Sequence, residues 1–354
     1  MMLKKYLSAL AVLCAAWVLL VGAGALRPAR AEADRQTFET YQRAVSYVKK
    51  NQPMELELYN IRFKPRELLA VYNAMPKGAK LTFTTTWGGY KITDKSVNID
   101  LTKSTAGVTK EDLVALVTLC PKVKKIDNST RHSPSNDVMV ELMAKYPHVQ
   151  FEWMVHLGGQ HYCATSASAY STFNQPFKGD KLTSKQLERL QYCKNLKALD
   201  LGHNSITTLD FLKYLPDLEL LIVGDNRIKD ITPVGTLKHL KYVELFSNDF
   251  TDISPLANCT ELLDLNICYA PVHDFSPIDN LTSLERFWAT MIRKLPESEK
   301  IRFQEVHPNV EVDFVGSHAT TNGWRKHPRY THYIWCLKNG TWIPFDEPLP
   351  TGKK

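Results

Sequence analysis

The chain has 354 residues, of which 44% are hydrophobic and 23% charged, with 16 Gly and 19 Pro. That balance excludes a collagen-like, disordered or many-pass membrane chain and leaves room for two or three domains or one elongated array. The formal net charge is +7, but residues 1–33 supply +3 of it through Lys4, Lys5, Arg27 and Arg30 against Glu32. The remaining charge is too weak and scattered to point to nucleic acid.

Lys4 and Lys5 precede an uncharged run from Tyr6 to Leu26, followed by Ala29-Arg30-Ala31 and Ala31-Glu32-Ala33. A basic start, an apolar stretch and small-x-small sites predict a signal peptide over residues 1–33. An uncleaved anchor is the alternative, because 21 uncharged residues just reach across a bilayer. Two basic residues on each flank do not choose between them. Either way the rest of the chain is expected outside the cytoplasm, secreted or associated with the cell surface.

Residues 34–186 form an irregular α/β segment. Residues 67–76 read as a helix running toward a strand at 80–84, and 112–121 run in the same way toward 123–126. Residues 137–147 run toward a strand at 149–155, and 186–193 run into Leu196. Matching positions are 45, 26 and 47 residues apart. The longer steps leave room for an extra hairpin, as around Trp87-Gly88-Gly89-Tyr90 before a strand at 97–101. The segment is expected to continue the parallel sheet of the array that follows and to cap its N-terminal end. A separate α/β domain is the alternative.

Over residues 187–295 the pattern becomes strict. Leu196, Leu218, Leu240, Leu262 and Leu284 recur every 22 residues. The first three open Leu196-x-x-Leu199-x-Leu201-x-x-Asn204-x-Ile206 and its copies ending in Asn226-x-Ile228 and Asn248-x-Phe250. Later columns repeat too: Leu209, Ile231, Ile253 and Phe275; Leu212, Val234, Leu256 and Ile278; and Pro233, Pro255 and Pro277. Alternating apolar residues make a short strand with one buried face, the Asn turns inward to bond backbone, and one repeat cannot bury its own edge without neighbours. This is the leucine-rich repeat signature.

The 22-residue length, with Asp230-Ile231-x-Pro233, Asp252-Ile253-x-Pro255 and Asp274-Phe275-x-Pro277, resembles the repeats of bacterial internalin-type and SDS22-like proteins. The resemblance covers about a third of the chain. It implies a curved solenoid that binds a partner on its concave strand face, and it implies no catalytic activity. The expected fold is therefore an α/β leucine-rich repeat solenoid with a parallel concave sheet, irregular α/β repeats on its N-terminal side, and a C-terminal cap over residues 296–354. That last segment offers a strand at 310–315 and an aromatic-rich tail suited to hiding an exposed end.

Of the cysteines beyond residue 33, Cys120, Cys193 and Cys259 sit in the column of Leu215, Leu237 and Leu281 and read as small buried residues. Cys163, Cys268 and Cys336 are freer, and a bridge between two of them is left open. His318, His327 and His332 lack metal-ligand spacing and read as loop histidines. His161 and Cys163 have no surrounding nucleophile pattern. No metal or cofactor is expected.

The repeat register also predicts a binding surface. Strand residues between the leucines point onto the concave sheet, placing Tyr242, Phe246, Tyr269 and Trp288 together, with Glu244, Asp264 and Arg286 beside them. Solvent-facing aromatics ringed by charge have the composition of an interface core. The expected function is an exported, non-enzymatic protein that recognises a protein or glycan through these seven residues. Two alternatives stand beside it: a terminal segment folded over this face, and a structural or adhesive envelope component held by its N-terminal segment.

Overall fold

The structure is a computed structural model that describes residues 34–104, 107–173 and 180–350, so the expected signal peptide or anchor lies outside the described residues. Among those residues no helix is long and apolar enough to cross a membrane. The chain divides into two compact units, residues 34–96 with 111–122 and residues 97–110 with 123–350.

The first unit holds β1 (Asp34–Gln36), α1 (Tyr41–Asn51), β2 (Glu55–Ile61), α2 (Pro65–Ala74), β3 (Lys80–Trp87), β4 (Tyr90–Thr93) and α3 (Lys110–Leu119). Its sheet has the order β1-β2-β3-β4, parallel except for the β3–β4 hairpin. Leu81, Phe83, Thr85 and Trp87 of β3 alternate into the core, as a half-buried strand requires. The hairpin turns through Gly88 (φ 58°) and Gly89 (φ 86°), the two left-handed residues that a two-residue hairpin turn demands. Helix α2 opens with Pro65 at its first turn while Glu67 accepts from the Lys64 N–H at 2.9 Å. The buried Asp112 of α3 pairs with Arg66 at 2.9 Å.

The second unit holds β5 (Asn98–Asp100), β6 (Lys125–Asn128), α4 (Asn136–Lys145), β7 (Gln150–Gly158) and β8 (His161–Ala164). They form a sheet ordered β5-β6-β7-β8, again closed by an antiparallel hairpin. In chain order this is the first sheet's succession repeated. Glu55 to Lys125 and Lys80 to Gln150 are 70 residues apart, and Pro65 to Asn136 and Tyr90 to His161 are 71 apart. The alternating steps of the sequence pattern are one such double unit occurring twice. One continuous parallel sheet is not what these residues form. The β3–β4 and β7–β8 hairpins each put an antiparallel strand on the edge where another parallel strand would pair.

Seven parallel strands follow in the same unit, with the one-turn helix α5 (Ser184–Leu187) between the first two: β9 (Ala169–Ser171), β10 (Ala198–Asp200), β11 (Leu220–Ile222), β12 (Tyr242–Glu244), β13 (Asp264–Asn266), β14 (Arg286–Trp288) and β15 (Glu311–Asp313). Register is exact across the middle of the ladder, Ala198↔Leu220↔Tyr242↔Asp264↔Arg286. This is the leucine-rich repeat solenoid that the 22-residue period predicts. Leu199, Leu221, Val243, Leu265 and Phe287 are fully buried between coils.

Two polar devices turn the coils. Asn248 accepts from the Ile228 N–H at 3.0 Å and donates to the carbonyls of Val223 and Leu245 at 3.0 and 2.9 Å, and Asn204 and Asn226 do the equivalent in their coils. On the opposite side, Asp230, Asp252 and Asp274 each accept from the N–H two residues on, at 2.8–2.9 Å. Pro233, Pro255 and Pro277 then occupy the first turn of short 3-10 helices, where a missing N–H costs nothing.

Helix α6 (Glu297–Val306) closes the C-terminal end by seating Phe303 against Phe275, Phe287 and Phe314, with ring centroids 4.6–6.4 Å apart. The aromatic tail has a different place from the end cap expected of it. Helix α7 (Pro328–Asn339) and the residues around it lie across the strand face itself.

Candidate functional site

The register brings the predicted residues together. Tyr242, Asp264 and Arg286 are neighbours across three strands, with Glu244, Asn266 and Trp288 two residues on. Their solvent-facing character is the point to correct. Tyr242, Glu244, Phe246, Asp264, Arg286 and Trp288 are all buried, and of the seven only Tyr269 is exposed, at 38%.

The cover is the chain's own C-terminal segment. Trp324 is fully buried and packs on Tyr242 and Trp288 with centroids 5.5 and 5.2 Å apart, and Tyr333 packs on Tyr242 at 4.9 Å. Glu244 Oε1 accepts from the Tyr242 hydroxyl at 2.5 Å, the Trp324 indole N–H at 2.8 Å and the Tyr333 hydroxyl at 3.4 Å. The Arg286 guanidinium lies 4.9 and 4.5 Å from the ring centroids of Trp288 and Trp324, a double cation–π seat. It donates to Asp264 at 3.1 Å and to the Trp324 carbonyl at 3.1 Å.

Arg329 of α7 reaches the same carboxylate at 2.5 Å and Glu285 at 2.7 Å, so one buried Asp264 serves two guanidiniums. Backbone ties complete the seam. Asn266 and Trp288 donate to the carbonyls of Ala319 and Thr321, and the Ser168 and Ala169 N–H groups donate to Gly340 at the far end of α7.

Burial dominates the electrostatics of this face. Desolvation pushes the carboxyls of Asp200, Glu244 and Asp264 above their usual range, against hydrogen bonds and guanidiniums that pull the other way. Burial first, then the neighbouring Glu244 carboxylate, drives the Tyr242 phenol well above its ordinary value.

The cover is the terminal segment folded over this face that stands as an alternative in the sequence, and the signal for its helix is present there too. Tyr330, Tyr333, Ile334 and Leu337 fall at i, i+3, i+4 and i+7, the apolar stripe of a helix that packs on something. Pro328 in its first turn and Gly340 (φ 66°) just past its end bound it.

The rim of the sheet remains open. His203, Asp225, Ser247, Tyr269 and Met291, one per coil, all take left-handed φ between 52° and 64°. That conformation is uncommon for non-glycine residues. Here each of the first four N–H groups continues the ladder, donating to the next coil's carbonyl at 2.8–3.0 Å. The turn leaves their side chains along one edge, where Tyr269 and Met291 are exposed and Phe173 beside His203 is 65% exposed.

The remaining candidates stay apart from this face or serve it structurally. All six cysteines among the described residues are free and buried. Desolvation raises the Cys120 thiol to about 12 and the Cys259 thiol to about 11, which makes them poor nucleophiles. His327 caps α7, His332 contacts the Ile343 carbonyl at 2.8 Å, and His161 contacts the Asp180 carbonyl. Among the described residues no three His, Cys, Asp or Glu side chains converge to hold a metal ion.

Comparison with known proteins agrees with the repeat reading. A family model described as leucine-rich repeats in two copies matches residues 194–236. A sequence search of curated proteins returns no match. Among solved structures, an internalin C2 from Listeria monocytogenes is 27% identical over 41% of this chain and 73% of its own, with a TM-score of 0.31. A leucine-rich repeat protein of Leptospira interrogans is 17% identical over 75% of this chain and 74% of its own, with a TM-score of 0.39. These superpositions are partial, and the fold assignment rests on the chain's own strand ladder and repeat period.

Proposed function

We propose that the chain is a non-enzymatic recognition protein, working outside the cytoplasm, that binds a protein partner along the open rim of its repeat array. The observation that carries this reading is the split of the strand face into two zones. The central columns are consumed by the chain's own C-terminal segment, whereas Phe173, His203, Asp225, Tyr269 and Met291 form an exposed row of mixed apolar and polar side chains. Five coils at strand spacing make a row about 19 Å long, enough for a short linear epitope. Of the seven residues predicted as the site, Tyr269 then touches the partner, and the other six hold the cover that shapes the face.

The test is retention of extracellular proteins on the immobilised chain from residue 34 onward, beside a Tyr269→Ser/Met291→Ser variant of matched thermal stability. A partner held by the parent and lost by the variant is the expected result. Equal retention by both overturns the rim assignment, and turnover of a peptide or cell-wall substrate overturns the non-enzymatic reading.

A further inference from the structure

Where the cover meets the first coils, the sheet and the C-terminal segment leave a cavity of about 80 Å³. The sheet contributes Asp200, Ile222, Glu244 and Phe246, and the C-terminal segment contributes Arg325 and Tyr330. Its two carboxyls are not equally occupied. Asp200 accepts from the Gly202 N–H at 3.1 Å through Oδ1 and from the Ser171 hydroxyl at 2.7 Å through Oδ2. All three donors to Glu244 converge on Oε1, and Oε2 takes no hydrogen bond among the described residues. A side chain only 3% exposed thus presents one unfilled acceptor to a small cavity.

The surroundings define what fits that acceptor. Arg325 is exposed, with its guanidinium 5.8 Å from the Tyr330 ring centroid; it forms no ion pair with either carboxyl among the described residues, although its charge acts on both. Beside these charged groups and His203, the walls are the aliphatic and aromatic side chains of Phe173, Ile222, Phe246, Tyr333 and Ile334, which suit methylene groups and a cation over a ring face. At about 30 Å³ per water-sized group, the space holds roughly three such groups, an ammonium and two methylenes. Two carboxyls without a third ligating side chain do not make a metal site.

We propose that this cavity binds the alkylammonium end of a lysine side chain presented by the protein partner, with Glu244 Oε2 accepting from the ammonium. The source of the amine rests on the recognition reading above, whereas the chemistry of the cavity does not. Because tail and sheet both supply walls, the site exists only when the C-terminal segment is docked.

The probe is n-butylammonium, titrated into the chain from residue 34 onward by NMR or calorimetry, with n-butanol and n-butyrate as neutral and anionic counterparts. Saturable binding of the ammonium at least tenfold tighter than either counterpart is expected. Glu244→Gln should weaken it at least tenfold. Since Glu244 also holds the cover, a second variant is needed. Gly202→Ala adds a Cβ that meets only ordinary contacts of 3.4–3.7 Å, so it narrows the cavity without touching Trp324 or Tyr333. It should weaken the ammonium severalfold while tryptophan fluorescence stays unchanged.

Equal binding of butyrate or butanol, or indifference to both variants, overturns the cavity's assignment whatever the rim binds. A capped Gly-Lys-Gly peptide should bind more tightly than n-butylammonium. A peptide that binds no better overturns the partner lysine as the source. Neither result depends on whether the rim variant retains its protein partner, so the two readings fail separately.

Discussion

The two faces of the same short strands are buried by different logics. Toward the coil interior, Leu199, Leu221, Val243, Leu265 and Phe287 place the same kind of side chain at each 22-residue step, and all are fully buried. Toward the concave side, Ile222, Glu244, Asn266 and Trp288 occupy one equivalent column and share no property except burial. The interior column packs against translated copies of itself, so its residues must repeat. The concave column packs against a segment that occurs once, so each position is fitted to a different partner: Glu244 to Trp324, Asn266 to Ala319, Trp288 to Thr321.

Two substitutions of similar cost should separate these logics most sharply. Leu221→Ala removes a buried interior side chain and should cost about 2–5 kcal/mol. Trp324→Ala removes the centre of the cover and should cost about 3–5 kcal/mol. The first is expected to lower the melting temperature of the whole array and to raise amide exchange in β10 to β14 together. The second is expected to release residues 318–350 to exchange and proteolysis while those strand amides stay protected. A single transition shifted equally by both would show that cover and array unfold as one body.

Legibility in the sequence follows the same divide. Every element whose environment repeats was readable: the interior columns, the Asn turns, the Pro column and the Gly-Gly hairpin at Gly88 and Gly89. The concave cluster was readable as an arrangement, because strand spacing alone brings Tyr242, Glu244, Asp264 and Arg286 together. Its exposure was not, because nothing periodic links β12 to a helix some 90 residues later. Charge in the columns is compatible with an interface and equally with a cover. Asp264 and Arg286 sit on adjacent strands among aromatics, and Arg329 lies in a segment with a helical apolar stripe. Buried charges of that kind require partners, and Arg329 supplies one from outside the repeats. Of residues 34–186, expected to continue the parallel sheet, β9 does so and residues 34–164 do not, for a related reason. A period of about 71 residues occurs only twice, and a hairpin in the sequence does not distinguish an insertion from the end of a sheet.

A smaller effect is expected from the polar side of the interior. Asn248→Ala leaves the Ile228 N–H and the carbonyls of Val223 and Leu245 without their partner and should cost about 1–3 kcal/mol. Asn248→Asp keeps an acceptor for Ile228 but loses the donors, and should fall between wild type and Asn248→Ala in denaturant midpoint. Neither change should alter protection in α7, since the cover contacts none of these groups. Loss of α7 protection in either variant would show that the turn side and the cover are coupled.

The smallest effect, and the one that distinguishes the faces by sign, is pH dependence. On the turn side, Asp230 and Asp274 are held below their usual range by hydrogen bonds from Thr232 and Ser276. A lowered carboxyl contributes stability that is present above its unfolded value and lost as pH falls through the folded one. Under the cover, burial raises Glu244 and Asp264. Their contribution is fully present below the usual carboxylate range and is lost as pH rises through the raised values. His327, capping α7, opposes this trend. Burial lowers its imidazole, so its contribution is lost as pH falls below the usual histidine range. In a His327→Asn background, which keeps an N-cap side chain, α7 protection corrected for intrinsic exchange should decline as pH rises above the usual carboxylate range. The 3-10 turns at Thr232–Thr236 and Ser276–Ile278 should weaken instead as pH falls below about 4. Adding Glu244→Gln should flatten the first profile and leave the second unchanged. Protection in α7 that rises with pH would mean that the guanidiniums of Arg286 and Arg329, not burial, set the charge state beneath the cover.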